Sequence, residues 1–437
     1  MSTDAVQASA ASAGGADDEV VLDVVDLHMH FPVRTGLFSR GSQDVVRAVD
    51  GVSFGIRRGE VFGLVGESGS GKTTLGRSVL KLATPTSGQV WYNDRDLVPL
   101  SEREMRPLRR QLALIFQDPN ASLNPAMTIV QGVGHPLRIH GVASRSQVRE
   151  RVAEMLERVG LSPPETFLDK YPEDLSGGQK QRVVIARALI TEPELVVADE
   201  PVAALDMSVR ARVLELMLDL QRDLGLTYLF ITHDLATARF VCDRIGILYL
   251  GNLVEQGTAE ALFDNPQHPY TRSLLEAIPL PDPSRRDRDK RLPVGEMPDA
   301  LHPPAGCRFH PRCPERFEPC GWEGRDLVDF LEQRWTEVPP ETFEEELALT
   351  GPLEAADVSR YEVRFPAGDP DGLRELLLRL RSEEAGVVFS AVEAVERDGG
   401  DVLVRFGEGP EPALQPVEGR QVACHLHGIV PRRREGQ

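Results

Sequence analysis

Apolar and polar positions along this chain fall into three rhythms. Residues 21–31 alternate as in a half-buried strand, and Val45 to Ile56 forms a second apolar stretch beyond a polar Gly/Arg/Ser loop. Gly59-Glu60 marks a turn, Val61 to Val65 is a short apolar run ending in glycines, and Thr74 to Leu82 then takes helical spacing. Residues 101–190 are rich in Arg, Leu, Glu and Ala and predict helix, interrupted by the Pro/Asn segment Asp118 to Pro125. Leu195 to Ala198 reads as a buried strand and Val209 to Leu224 as a helix stopped by Gly225. Thr227 to Thr232 and Ile245 to Leu250 read as two more buried strands. Strands alternating with helices predict a parallel α/β sheet.

After Pro279 that rhythm is lost. Residues 281–320 hold many Pro, Arg and Asp and three Cys, with little periodicity. From residue 325 patterns return: a strand at Tyr361 to Phe365, a helix from Asp371 to Arg381, then Gly386 to Val395 and Asp401 to Phe406. Together these predict a small βαββ-like α+β module, and no repeat of solenoid period is present.

Length and composition narrow the class. The 437 residues predict two to three domains, and 41% hydrophobic with 27% charged residues is ordinary for a soluble globular chain. No run reaches the roughly 18 apolar residues of a membrane helix. The most apolar stretch, Leu224 to Leu250, is broken by His233, Asp234, Arg239, Asp243 and Arg244. Work at a membrane would therefore need other chains to span it. Met1 to Val20 is Ala/Ser/Asp-rich without a basic segment or apolar core, which predicts a disordered tail and no signal peptide. The net charge of −19 argues against a nucleic-acid ligand. Only five of the 49 basic residues are Lys, which fits a high-salt cytoplasm or, more blandly, GC-rich codon usage. Without a signal peptide, clustered Cys among the five present read as metal ligands before disulfides.

The chemistry begins at Gly66-Glu67-Ser68-Gly69-Ser70-Gly71-Lys72-Thr73-Thr74, between an apolar strand and a helix. In that context the glycines let backbone N–H groups curl around phosphate oxygens, and the helix adds its N-terminal dipole. Lys72 is the candidate ligand of the β- and γ-phosphates, and Thr73 offers a hydroxyl to Mg²⁺. A chance Gly/Ser loop is the bland alternative. Leu195-Val196-Val197-Ala198-Asp199-Glu200 is a strand ending in two carboxylates. Asp199 suits Mg²⁺, directly or through water, and Glu200 suits a general base for the attacking water. Leu175-Ser176-Gly177-Gly178-Gln179 opens another helix and offers a second anion site, unless it is an ordinary cap with a glycine turn. One nucleotide has no use for two such sites in one chain. Two chains facing head to tail do, each closing the other's phosphates.

These residues resemble the ATP-binding cassette (ABC) ATPases, with Leu175 to Gln179 as the signature sequence. The resemblance implies a P-loop NTPase (RecA-like) core with an antiparallel β subdomain and an α-helical subdomain. It implies that Gln117, in Ile115-Phe116-Gln117-Asp118-Pro119, touches Mg²⁺ and the attacking water and leads toward the transporter's coupling helix. His233, in Ile231-Thr232-His233-Asp234, would contact the γ-phosphate and Glu200. Ala203-Ala204-Leu205-Asp206 sits where the dimer-contact loop belongs; Ala203 stands where Ser is common, and Asp206 is intact. Adenine would stack on Phe31, with Phe38 as the alternative. Two further segments are similar to oligopeptide/dipeptide (peptide/nickel) importer ATPases: Phe116 to Pro125, and Asn265-Pro266-Gln267-His268-Pro269-Tyr270-Thr271-Arg272-Ser273-Leu274-Leu275. That family implies ATP and Mg²⁺, two transmembrane permease subunits, a second ABC ATPase subunit and an extracytoplasmic substrate-binding protein. It places the chain on the cytoplasmic face of the cell membrane. Peptides are the default substrate, nickel or another small solute the alternative, and a soluble non-transport ABC ATPase the rival reading.

The same importer ATPases carry a Cys pattern similar to Cys307, Cys313, Cys320 and Cys424, which can hold a 4Fe–4S cluster. Spacings of five and six residues between the first three are wider than zinc pairs usually show, although structural zinc and unoccupied thiols stay open. Cys242 falls in an apolar stretch and reads as core. The family usually has a short link where about 100 residues separate Cys320 from Cys424 here. The expected organisation is a disordered tail (1–19), a nucleotide-binding domain (20–280), an extension with the Cys cluster (281–324), an inserted α+β module (325–418) and a last segment with the fourth Cys (419–437).

Overall fold

The computed structural model describes residues 19–33, 45–278, 295–383 and 386–429. The described parts of Met1–Phe31 and Arg47–Asn252 form one compact unit, and those of Pro32–Val46 and Leu253–Gln437 a second.

In the first unit β1 (Val20–Pro32) and β2 (Val45–Arg57) precede β3 (Val61–Val65), the glycine loop and α1 (Lys72–Val79). Then come β4 (Ser87–Tyr92), β5 (Arg95–Asp96), α2 (Glu102–Leu108), β6 (Leu112–Ile115), α3 (Pro119–Ser122), α4 (Ile129–Ile139), α5 (Arg145–Arg158), α6 (Glu165–Leu168) and α7 (Gly177–Leu189). β7 (Leu195–Asp199), α8 (Met207–Leu224), β8 (Thr227–Thr232), α9 (Leu235–Val241) and β9 (Arg244–Tyr249) complete it. Strands β6, β7, β8, β3 and β9 lie side by side in that order, all parallel. Every residue of β3, β7 and β8 is buried, as a parallel sheet covered on both faces requires. Gly76 of α1 lets this helix lie close on the sheet: a Cβ there would come within 2.6 Å of Ile231.

Strand β6 departs from the sequence reading, which put Leu112 to Ile115 inside a helical stretch. The four residues pair in parallel with Leu195 to Ala198 of β7. A run this short carries no period of its own, so its neighbour decides it. The helical expectation for the rest of 101–190 holds in α4, α5 and α7, which pack through Val133, Leu137, Val152, Leu156, Val183 and Ile185, all fully buried. Each such side chain contributes about 1.5–3 kcal/mol. Strand β4, for which the sequence pattern offered no element, pairs antiparallel with β1 in a second sheet ordered β2-β1-β4-β5.

In the second unit β10 (Asn252–Thr258) is followed by α10 (Ala259–Asp264) and α11 (Pro269–Glu276). Beyond the Cys-rich stretch lie α12 (Gly324–Glu337), α13 (Pro340–Thr350), β11 (Asp357–Val358), β12 (Glu362–Pro366), α14 (Pro370–Ser382), β13 (Val392–Asp398) and β14 (Asp401–Phe406). β15 (Gln415–Val417) and β16 (Arg420–Val422) close the chain, with β16 antiparallel to β10. β12, α14, β13 and β14 form the βαββ arrangement, sheet order β11-β12-β14-β13. Gly386 to Val395 is not one segment: Val387–Ala391 is a 3₁₀ turn and β13 begins at Val392. A core running from Trp322 through Leu331, Phe365, Leu377 and Val404 to Phe406 belongs to this module alone. Its two ends meet: a Cβ on Gly409 would come within 2.4 Å of the Gly321 Cα. A module whose ends touch can be inserted without separating the segments on either side.

Candidate functional site

Every candidate catalytic side chain except Phe31 and the signature residues stands at the carboxyl end of a parallel strand, where open α/β sheets bind ligands. The glycine loop leaves β3. Gly71 has φ 103°, and a Cβ there would lie 2.0 Å from the Ala48 carbonyl oxygen; a Cβ on Gly66 would lie 2.1 Å from that of Leu248. Only glycine fits at either position. Gly69 also has positive φ, at 82°. Ser68 stands exposed in the loop, while Ser70 is fully buried and its carbonyl accepts from Gly251 N–H at 2.9 Å. Lys72 Nζ donates to the Gly66 and Glu67 carbonyls, at 2.8 and 2.7 Å, and lies 3.3 Å from Ser70 Oγ. Burial pushes the Lys72 ammonium below its ordinary range, while Glu200, Asp199 and Glu67 pull it back. The lysine thus holds the loop curled with its charge facing two carboxylates.

Thr73 Oγ1 donates to Asp199 Oδ1 at 3.0 Å, joining the start of α1 to the end of β7. Burial raises the Asp199 carboxyl, and the Thr73 hydrogen bond opposes that shift. This hydroxyl–carboxylate pair is the donor set that an octahedral Mg²⁺ takes alongside phosphate oxygens and water. Thr74 follows, half-buried within α1.

Glu200, one residue past β7, adopts φ 46°, left-handed backbone rare for a residue other than glycine. Its N–H donates to the Ile231 carbonyl at 2.9 Å. Its Oε2 accepts from Gln117 Nε2 at 3.1 Å and lies 3.1 Å from His233 Nδ1. The ends of β6 and β8 therefore each aim one side chain at a single carboxylate oxygen of Glu200, at the end of β7.

The signature residues stand apart from this group. Ser176 caps α7: its Oγ accepts from Gln179 N–H at 3.4 Å, and its own N–H donates to Gln179 Oε1 at 3.0 Å. Gly177 opens the helix, and Gly178 packs against the start of α8, where a Cβ would meet Val209 Cγ1 at 2.7 Å. Among the described residues, Ser176 and Gln179 hydrogen-bond each other and not the glycine loop. Asp206 caps α8 through Val209 N–H at 3.0 Å and accepts from Ser208 Oγ at 2.8 Å, contacts that hold its carboxyl below the usual range. Ala203 N–H donates to the Glu200 carbonyl at 3.2 Å in the turn between them. Phe31 lies near the end of β1, 41% exposed. Phe38 lies outside the described residues.

Comparison with known proteins settles the family. The ABC transporter model matches residues 49–203, and the model of the oligopeptide/dipeptide transporter C-terminal region matches residues 254–320. The oligopeptide transport ATP-binding protein AppF of Bacillus subtilis is 46% identical over 301 residues, 68% of this chain and 91% of that one. This chain belongs to the ABC transporter ATPases. The dipeptide transport ATP-binding protein DppF of Escherichia coli is 45% identical over 311 residues, 71% of this chain and 91% of its own. The fold expected of an ABC ATPase is present: a parallel core, an antiparallel sheet and a helical layer in one unit.

The second family match falls on a segment with its own architecture. Glu255 of β10, fully buried, accepts from Gln267 and His268 N–H, both at 2.9 Å, and seats the turn before α11. Arg272 donates to Glu315 at 2.7 Å, tying α11 to the Cys-rich stretch. Cys307, Cys313, Cys320 and Cys424 line one pocket together with His268, His310 and His425. Cys307 N–H donates to the Cys320 carbonyl at 2.8 Å. Burial pushes all four thiols up, Cys424 to about 11 and Cys313 to about 12, with neighbouring sulfurs adding to the shift at Cys307, Cys313 and Cys424. Cys242, expected as core, is buried at the end of α9.

Sequence reading missed one cluster. His28, His30 and Asp50 bring ligand atoms within 4.8 Å of one another. The His-x-His spacing in a strand is legible; its carboxylate partner on β2 is not, without the sheet order.

Proposed function

We propose that this chain is the ATP-hydrolysing subunit of an importer for di- or oligopeptides, working at the cytoplasmic face of the membrane beside two permeases. The match of residues 254–320 to the oligopeptide/dipeptide transporter C-terminal region carries the substrate class. In this reading two ATPase subunits face each other, and each closes the other's nucleotide with Ser176, Gly177, Gly178 and Gln179. Lys72 and the loop amides hold the phosphates, Thr73, Asp199 and Gln117 hold Mg²⁺, and Phe31 stacks on adenine. Glu200 takes the proton of the attacking water, oriented by Gln117 and His233; their convergence on Glu200 Oε2 supports these roles. Gln117 leads into α3, and α3 borders a surface cleft of about 360 Å³ lined by Asn120, Asn124, His135 and Arg187, the face proposed to meet a permease. The test is reconstitution in proteoliposomes with the co-purifying membrane subunits and binding protein. ATP turnover is expected to rise with peptide. A rise with Ni²⁺ or a sugar instead, or no membrane subunit in the purified complex, overturns the assignment.

We also propose that Cys307, Cys313, Cys320 and Cys424 hold a 4Fe–4S cluster that pins the C-terminal segment. All four thiols line one pocket, and the spacings of five and six residues between the first three are wider than zinc pairs usually show, which supports a multi-iron cluster over tetrathiolate zinc. His268 Nδ1 accepts from Tyr270 N–H, so the neutral ring carries its proton on Nε2, which lies at this pocket without a hydrogen-bond partner among the described residues; that N–H would suit a cluster sulfur. The cluster supplies charge compensation for four buried thiolates when bound. Anaerobic purification should yield brown protein with equimolar iron and sulfide; stoichiometric zinc without iron overturns this reading.

A further inference from the structure

The antiparallel sheet of the first unit holds a second donor set, distinct from the phosphate loop, the strand-end carboxylates and the cysteines. In β1, Asp26 has φ 45°, and the pairing of β1 with β4 shifts register between Val25 and His28. Gly88 of β4, with φ 90°, makes room for it: a Cβ there would lie 2.3 Å from the Asp26 carbonyl oxygen. The irregularity changes which side chains face inward. Leu22 and Val24 are buried before it, Leu27 and Met29 after it. His28 and His30 consequently share the half-exposed face, and Asp50 on neighbouring β2 faces them.

His28 Nδ1 lies 2.9 Å and His30 Nε2 2.8 Å from the same oxygen, Asp50 Oδ1. The other ring nitrogen of His28 lies 3.2 Å from Asp26 Oδ1. A neutral His28 that donates from Nε2 to Asp26 presents the Nδ1 lone pair toward Asp50, which is the carboxylate–histidine–metal relay. Two imidazole nitrogens crowding one carboxylate oxygen need either protons or a cation between them. With ligand bonds of about 2.0–2.2 Å, tetrahedral donors sit roughly 3.4 Å apart, so an outward shift of about half an ångström admits an ion.

The geometry points to a transition-metal site of the two-histidine, one-carboxylate kind, formed by His28, His30 and Asp50. It would take a borderline divalent ion such as Zn²⁺, Co²⁺ or Ni²⁺, with water completing the shell. Loaded, it ties β1 to β2 one residue before Phe31.

The probe is Co²⁺, titrated without nucleotide into the full chain after chelation. The cysteine pocket gives intense thiolate-to-cobalt charge-transfer absorption; nitrogen and oxygen ligands give only weak visible bands. One Co²⁺ per chain is expected to bind without the thiolate signal. Asp26→Asn, which leaves all three ligands in place, should weaken that binding about tenfold or more. His28→Gln and Asp50→Asn should each weaken it further, in proteins whose circular dichroism and melting match the parent. Absence of a thiolate-free Co²⁺ site, or binding unchanged in all three variants, overturns the proposal. If His28→Gln fails to fold, Asp26→Asn alone decides.

Discussion

The nucleotide site and the cysteine pocket both gather residues from far apart in sequence, and they do so with different materials. The first hangs on five parallel strands. Gln117, Glu200 and His233 leave the ends of β6, β7 and β8, and the loop is fixed by glycines that touch the Ala48 and Leu248 carbonyls. The pocket is built from turns: His310–Arg312 and Glu318–Cys320 are single 3₁₀ turns, joined by one Cys307–Cys320 backbone bond. The strand-end site is therefore preorganised before its ligand arrives. In the proposed cluster-bound form the pocket would draw its order from what the four sulfurs bind. Backbone hydrogen bonds and burial stabilise the one; under the proposed cluster, ligation stabilises the other.

The sharpest test of the preorganised side is Glu200→Gln. The amide keeps its shape and can still contact Gln117 and His233, but it cannot accept the proton. Phosphate release in single turnover is expected to fall about 10²–10⁴-fold, with ATP affinity near that of the parent. Parent-like turnover would remove Glu200 from the mechanism. Lys72→Ala comes next. It deletes the ammonium over the Gly66 and Glu67 carbonyls and leaves them without that donor. A charged hydrogen bond contributes about 1.5–3 kcal/mol, so ATP should bind roughly 10–100-fold more weakly by equilibrium dialysis. Unaltered affinity would mean the glycine loop holds phosphate through its amides alone.

The same contrast explains what could be read from the chain. Residues Gly66 to Thr73, Asp199, Glu200 and His233 were legible because regular strands fix where their neighbours point. Strand β6 was not, because Leu112 to Ile115 acquires strand character only by lying beside Leu195 to Ala198. Phe31 and the signature segment could be named, but their use depends on a nucleotide and a second chain. In the pocket the four Cys could be named, but not that Gly321 and Gly409 bring the ends of an inserted module together so that Cys424 returns beside Cys307. The His28, His30 and Asp50 cluster escaped because the irregularity at Asp26 reverses which residues of β1 face inward.

The ligation-dependent side is tested by Cys313→Ser, the least buried of the four. Iron content should fall. Amide exchange should quicken by about tenfold or more across 305–320 and 420–427, while 61–65 and 195–199 keep their protection. Uniform loss of protection in both segments would show that the pocket, like the sheet, is part of one cooperative core and would erase the contrast.

The smallest expected effect separates two roles of one residue. Asp206 caps α8 by accepting from Val209 N–H and Ser208 Oγ, and it lies in the loop proposed to meet a second ATPase subunit. Asp206→Ala loses the cap, which costs about 1 kcal/mol in urea unfolding of the isolated chain. Asp206→Asn restores a capping oxygen and should recover most of that stability. Dimer formation with ATP, followed by sedimentation in the Glu200→Gln background, then reads the second role. If Asn rescues stability but not dimerisation, the carboxylate charge acts across the interface. If it rescues both, Asp206 matters only because it starts α8 correctly, and the strand-end site needs nothing from that loop beyond its shape.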